Sequence, residues 1–428
     1  MNNEYVFAHL TIIILVASCS GMLLAKLKQP IMIGYILAGV IFGPSGYSYI
    51  SSQDQVQFYS ELGIVLLLFV IGIELNIKSF IQMWRIPTLF TVLQVGINVL
   101  IAFGFSNLFG LPLYILLLGA FIVSLSSTAA IVKVLDHINE LNTDVGHISI
   151  GILVAQDIAI VPMMLVIKQA GTNFNSSVIL DLIIAVFLVV FIIKYLGRNK
   201  RINIPVNSII ANPDLTPVVA LGLCFAASSI VDLFGLSEAY GAFLAGLFLG
   251  NTRARQHILN SIKPIQNVLM MSFFLSVGLV FDLKFLAQNW VVVLITLTFM
   301  TIWKIFSNTF ILKIFSIELT KAASIGIILS QLGEFALVLA NVAIDSKIID
   351  TYGQKLIICV TALSLSISPV FINLSSRTKN LSIIGDNSVH SFLKILFSLR
   401  FAKQVEKLVS EYSPFRNDNN DEGKNNND

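Results

Sequence analysis

Three ionisable side chains stand deep inside apolar stretches of this chain: Asp157, Lys304 and Glu334. A charge surrounded by hydrocarbon is expensive, so each such residue asks for a function. Asp157 lies at the centre of Ile152-Leu-Val-Ala-Gln-Asp-Ile-Ala-Ile-Val-Pro162. Taking a carboxylate out of water disfavours its charge unless something neutralises it. A proton or a bare monovalent cation can each do so, but not both at once, and that competition alone couples opposite movements of the two. Pro162 frees a backbone carbonyl one turn earlier and loosens the helix beside the acid. The alternative is a structural carboxylate locked to a buried base. Gln156 projects from a different helix face than its neighbour Asp157, which leaves a direct ligand role for it open.

Glu334 stands in Gln331-Leu-Gly-Glu-Phe335 and Lys304 in Thr301-Ile-Trp-Lys-Ile-Phe-Ser-Asn308. A further polar cluster, Ser124-Leu-Ser-Ser-Thr-Ala129, interrupts another apolar run. Ser127 and Thr128 there could supply oxygen ligands or simply satisfy backbone groups freed by a break.

The elements that must position these residues are membrane helices. Hydrophobic residues make up 56% and charged residues 12% of the 428, and mean hydropathy is +0.85. A soluble domain carries roughly 25% charged residues, so a water-facing surface cannot be built here. The apolar runs are roughly 18 to 25 residues long, as a helix needs to cross ~30 Å of hydrocarbon. Backbone groups in hydrocarbon must pair within their own segment, so these runs are helical. The fold class expected is an all-α polytopic membrane protein of about thirteen spans: 5–25, 31–48, 57–77, 86–108, 112–135, 146–168, 177–197, 214–232, 238–250, 264–282, 286–313, 320–344 and 352–375. The first span lacks the basic residues that precede a cleaved signal and is expected to be retained.

Basic residues fall in one set of alternate connections, with Lys26, Lys28, Lys78, Arg85, Arg253, Arg255, Lys263 and Lys321 among them, while the other set holds little beyond Lys168, Lys284 and Lys347. Cytoplasmic loops carry the positive excess. The expectation is an N-terminus outside, a C-terminus inside and a location in the inner (plasma) membrane.

An internal repeat organises the spans. Gly34-Tyr-Ile-Leu-Ala-Gly-Val-Ile-Phe-Gly43 returns as Gly241-Ala-Phe-Leu-Ala-Gly-Leu-Phe-Leu-Gly250, a constant offset of 207 residues. The copies lie seven spans apart, so they run in opposite directions. Inverted repeats place a transport site near the midplane between the halves, often at helices broken there. The competing explanation is that small residues recur wherever helices approach closely. The same offset carries Ser127 onto Glu334, so two polar interruptions correspond, and two crossed broken helices are expected. Glu334 would then offset converging N-terminal dipoles and Lys304 the carbonyl ends. A direct Lys304–Glu334 ion pair is the rival, as is cation binding by Glu334. Asp157 maps onto Ser364, so the acid is not duplicated, which implies one proton per cycle.

Cys19, Cys224 and Cys359 show no metal or disulfide spacing. His9, His137, His147, His257 and His390 are expected at termini or loops, away from any metal. No phosphate-binding glycine motif occurs, so no cofactor and no nucleic acid partner is implied. Beyond Pro369 an apolar pattern punctuated by Lys394, Arg400, Lys403 and Lys407 predicts an amphipathic helix on the inner leaflet, followed by a polar disordered end.

Taken in order, Gly34–Gly46, Glu61–Leu75, Ser126–Ala129, Gln156-Asp157, Gly241–Gly246, Phe273–Gly278 and Gly333–Phe335 resemble the Kef-type branch of the monovalent cation:proton antiporters. The resemblance covers nearly all of residues 5–375. It implies a sodium/proton-antiporter-like fold and exchange of K+ or Na+ for H+, with Asp157 binding proton and cation. It also implies a homodimer. Its dimerisation panel would cover about 5–77 and 214–282, its mobile core about 86–168 and 286–375, its linker helix 177–197, and residues 379–428 a cytoplasmic tail. The Gln-Asp pair leans to potassium, as does span ten, Met270–Ser276, which lacks the lysine of typical sodium exchangers. The nucleotide-binding regulatory domain of glutathione-gated members has no counterpart in 1–428, so a regulatory subunit would be a separate chain. The acidic loop those members carry before span ten is replaced by His257–Pro264. Other classes remain as rivals: a gated cation channel on the same scaffold, or a membrane sensor that transports nothing.

Overall fold

The structure is a computed structural model that describes residues 6–27, 29, 31–43, 46–47, 53–74, 85–141, 143–170, 215–233, 238–252 and 254–367. The expected span at 177–197 and the amphipathic tail lie outside the described residues. Among the described residues there are fourteen helices and no strand. In the first half these are α1 (Val6–Lys26), α2 (Ile31–Phe42), α3 (Gln53–Glu74), α4 (Arg85–Phe109), α5 (Leu113–Ser124), α6 (Thr128–His137) and α7 (Asp144–Ala170). The second half has α8 (Leu215–Leu233), α9 (Glu238–Gly250), α10 (Arg255–Val280), α11 (Leu283–Ile314), α12 (Leu319–Ile328), α13 (Phe335–Asp345) and α14 (Thr351–Ser366). Five of them (α4, α7, α8, α10 and α11) are long and apolar enough to cross a membrane by themselves. Large apolar side chains such as Leu100, Leu108, Leu233, Ile295 and Phe299 are exposed. That suits lipid, whereas in water such surface drives association.

Adding 207 to the bounds of α1 through α7 reproduces α8 through α14 to within several residues at most ends. The packing is reciprocal too. α2 packs on α1 and α10, as α9 packs on α8 and α3. The repeated glycines make this possible. A methyl at Gly39 would lie 2.2 Å from Leu275 O and 2.7 Å from the Gly278 Cα, and one at Gly246 would lie 2.1 Å from Phe69 O and 3.0 Å from the Gly72 Cα. Backbones in van der Waals contact substitute here for the hydrophobic drive that lipid removes. α1–α3 and α8–α10 thus form one bundle, and α4–α7 with α11–α14 a second.

Two expected spans are broken, each in the middle. Leu125–Ser127 separates α5 from α6, and Leu329–Glu334 separates α12 from α13. The fold is therefore the inverted repeat with crossed broken helices. The start of one helix differs widely from expectation. α10 begins at Arg255, nine residues before the expected 264, so His257–Pro264 is helix rather than loop. Hydropathy reports burial in lipid, and this polar turn continues the helix beyond it. His147 and His257 likewise lie within the first turns of α7 and α10 rather than in loops.

Candidate functional site

The two breaks meet. A methyl at Gly333 would stand 2.7 Å from Ser126 O, so the chains cross backbone to backbone and only glycine fits. Ser126 Oγ donates to Leu329 O at 2.7 Å, and Ser127 Oγ donates to Glu334 Oε2 at 3.0 Å. Ser127 and Glu334 are 207 residues apart, so the contact joins symmetry-equivalent positions and marks where the pseudo-twofold axis passes.

Broken helices leave unsatisfied donors at new N-termini and unsatisfied acceptors at new C-termini. Ser127 precedes α6 and Glu334 precedes α13, so the carboxylate lies at two N-terminal ends. Lys304, on α11, is wholly buried. Its Nζ donates to Leu125 O at the end of α5, to Ser126 Oγ at 3.2 Å and to Gln331 O beyond α12 at 3.2 Å. The ammonium therefore lies at the two carbonyl ends. No Lys304–Glu334 ion pair forms.

Asp157 is the fourteenth of the 27 residues of α7. Thr128 Oγ1, the first residue of α6, stands 3.3 Å from both carboxylate oxygens of Asp157. Asp157 keeps 8% of its surface accessible while Gln156 and Ser127 keep 1% each. The three salt bridges among the described residues, Lys263–Glu74, Lys321–Asp144 and Lys355–Asp282, leave Asp157 out. The Gln156 amide is held by α4: its Nε2 donates to Gln94 Oε1 at 2.9 Å.

Reasoning from charges missed the amides of α4. Gln94 Nε2 donates to Asn308 Oδ1 at 2.8 Å, and one turn on Asn98 donates to Ser124 Oγ at 2.9 Å and accepts from Trp303 Nε1 at 2.8 Å. The available signal was two amides spaced i, i+4 in an otherwise apolar run, hence on one helix face. A single buried carboxylate beside crossed, internally charge-balanced helix breaks is the architecture of an ion-coupled membrane transporter.

Residues 12–373 match the family described as "Sodium/hydrogen exchanger, transmembrane", and the chain belongs to that family of membrane exchangers. Over 390 residues it is 37% identical to "Iron transporter MagA" of Paramagnetospirillum magneticum, covering 91% of this chain and 89% of that protein. It is 29% identical over 385 residues to "K(+) efflux antiporter 5" of Arabidopsis thaliana, covering 88% of this chain and 67% of that one. In fold it matches the sodium proton antiporter MjNhaP1 from Methanocaldococcus jannaschii, with a TM-score of 0.65 at 16% identity over 88% of this chain and 97% of that one. The family match and the K(+) efflux antiporter agree with the Kef-type resemblance, and the chain is a cation/proton antiporter by family.

Proposed function

We propose that this chain exchanges K+, or Na+, for H+ by alternating access, with the Asp157 carboxylate holding one or the other. The observation that carries the reading is a carboxylate buried mid-helix with a hydroxyl as its neighbour and, among the described residues, no basic group paired to it. A buried unpaired charge is costly, so the group must be neutralised by a ligand, and either ligand supplies one positive charge. Thr128 and Gln156 add neutral oxygens. Glu334 and Lys304 balance the helix ends, which leaves Asp157 as the charge free to change. One acid without a duplicate implies one H+ per cation and electroneutral exchange.

Potassium is favoured by the Gln-Asp pair and by the position of the lysine. The Lys304 ammonium is taken up by the breaks rather than by Gln156 or Asp157. MagA is named for iron, but among the described residues no group of three or more His, Cys, Asp and Glu could hold a metal ion, and one carboxylate matches a monovalent charge. The α1–α3/α8–α10 bundle serves as the dimerisation panel and the other bundle as the moving core. The chain sits in the plasma membrane with its N-terminus outside.

The test is reconstitution in proteoliposomes carrying an internal pH dye, with K+, Na+, Li+ or Fe2+ added outside. A monovalent ion should move protons, and Asp157→Asn should abolish the signal. Exchange at the wild-type rate in Asp157→Asn overturns the site, and cation flux without proton movement would show a channel instead.

A further inference from the structure

The amides of α7, α4 and α11 form a directional chain. Gln156 Nε2 donates to Gln94 Oε1 at 2.9 Å, and Gln94 Nε2 donates to Asn308 Oδ1 at 2.8 Å. All three side chains are buried, at 1%, 1% and 0% exposure. Each link fixes the next, because an amide has a donor end and an acceptor end. Turning one alone would set oxygen against oxygen or nitrogen against nitrogen. Two polar atoms are left over, one at each end: Gln156 Oε1 and Asn308 Nδ2 have no partner. Asn98 gives its Nδ2 to Ser124 and its Oδ1 to Trp303 instead.

The leftover atom at the Gln156 end is an acceptor, on the residue next to Asp157. A buried acceptor without a partner is costly and is retained where something else fills the role. A dehydrated monovalent cation is bound by oxygens and repelled by an N–H group. We infer that Gln94, held by Asn308, is a specificity-determining positioning residue: by taking the Gln156 N–H it turns the Gln156 oxygen toward the cation that Asp157 binds. The proton needs only the Asp157 carboxylate, so the amide chain acts on the cation arm of the exchange and not on the proton arm. This rests on the reading of Asp157 proposed above.

The experiment measures the cation KM, the maximal exchange rate and the external pH dependence in proteoliposomes for Gln94→Met, Asn308→Leu and Gln94→Glu. Methionine keeps the length of glutamine and removes both polar atoms, so Gln156 is no longer oriented. The expected result is a K+ KM raised about tenfold, which corresponds to ~1.4 kcal/mol, with a smaller change in maximal rate and an unaltered pH dependence at saturating cation. Asn308→Leu releases Gln94 and should raise the KM in the same direction. A neutral glutamic acid at 94 accepts from Gln156 and donates to Asn308 as glutamine does, so Gln94→Glu should bring the KM back toward the wild-type value. A wild-type KM in either Gln94→Met or Asn308→Leu overturns the inference. So does a Gln94→Glu KM as high as that of Gln94→Met. If Asp157→Asn still exchanges, the site reading fails independently; if it does not, yet Gln94→Met keeps the wild-type KM, only the amide chain is refuted.

Discussion

Replacing Lys304 by methionine tests whether one ammonium bolts the two helix breaks together. Lys304→Met keeps the bulk of the side chain and removes three donated hydrogen bonds, to Leu125 O, Ser126 Oγ and Gln331 O. Hydrogen bonds from a charged donor contribute about 1.5–3 kcal/mol each. Against that gross loss stands the ammonium's own desolvation, which costs several kcal/mol in a fully buried site and vanishes with the charge. Ser126 keeps its bond to Leu329 O, but Leu125 and Gln331 are buried and their carbonyls would lose this partner. The balance is a destabilisation of about 2–4 kcal/mol. At about 2.1 cal/mol/K of unfolding entropy per residue, a chain of 428 residues shifts by about 1 °C per kcal/mol, so the midpoint should fall by roughly 2–4 °C. The assay is thermal unfolding of detergent-solubilised protein, read as the fraction surviving size-exclusion after heating, with Lys313→Met on the same helix as control. A Lys304→Met midpoint within about 1 °C of wild type, where a 2–4 kcal/mol loss should be plain, refutes the bolting role.

Three further outcomes follow from the geometry. Gly39→Ala and Gly246→Ala place a methyl 2.2 Å and 2.1 Å from facing backbone oxygens, so each should cost about 2 kcal/mol or more by forcing packed helices apart. In Gly96→Ala, on α4, the methyl meets nothing within 4 Å, and the midpoint should hold or rise slightly because alanine favours helix by up to ~1 kcal/mol. In the joint before α11, Lys355 lies 2.8 Å from Asp282, and its hydrogen bond, with those from the Phe285 and Lys284 N–H groups, holds the Asp282 carboxyl below the usual carboxylate range. A depressed value stabilises the fold above the unfolded pKa of about 3.9 and loses that contribution as pH falls through the folded value. Asparagine keeps the cap, so Asp282→Asn should cost about 0.2–1 kcal/mol at neutral pH through the lost ion pair, and urea or thermal midpoints of mutant and wild type should converge as the pH is taken below the folded value.

Much of this architecture was legible because lipid makes a sequence simple. Most spans announce themselves by length, and a polar cluster inside one, such as Ser124–Ala129 or Gln331–Phe335, has few explanations besides a break. The 207-residue offset ties the two clusters together in the sequence alone, and Ser127 and Glu334 do touch. What hydropathy could not read was helix outside the hydrocarbon, as at Arg255–Pro264. It also passed over Gln94, Asn98 and Asn308. A search for buried charges overlooks neutral amides, whose cost is lower and whose importance depends on what stands opposite them across the fold. No spacing along the chain places residue 94 beside residues 156 and 308.

The correspondence of the two halves in helix order and packing bears on direction. If each half can adopt the other's arrangement, the inward- and outward-open forms are built from the same contacts with the labels exchanged. Neither then lies far below the other, except through positions where the halves differ, such as Asp157 against Ser364. The gradients set the direction of any such exchanger; what balance between the two forms would add is that neither is scarce, so export and import of the cation would run at comparable rates.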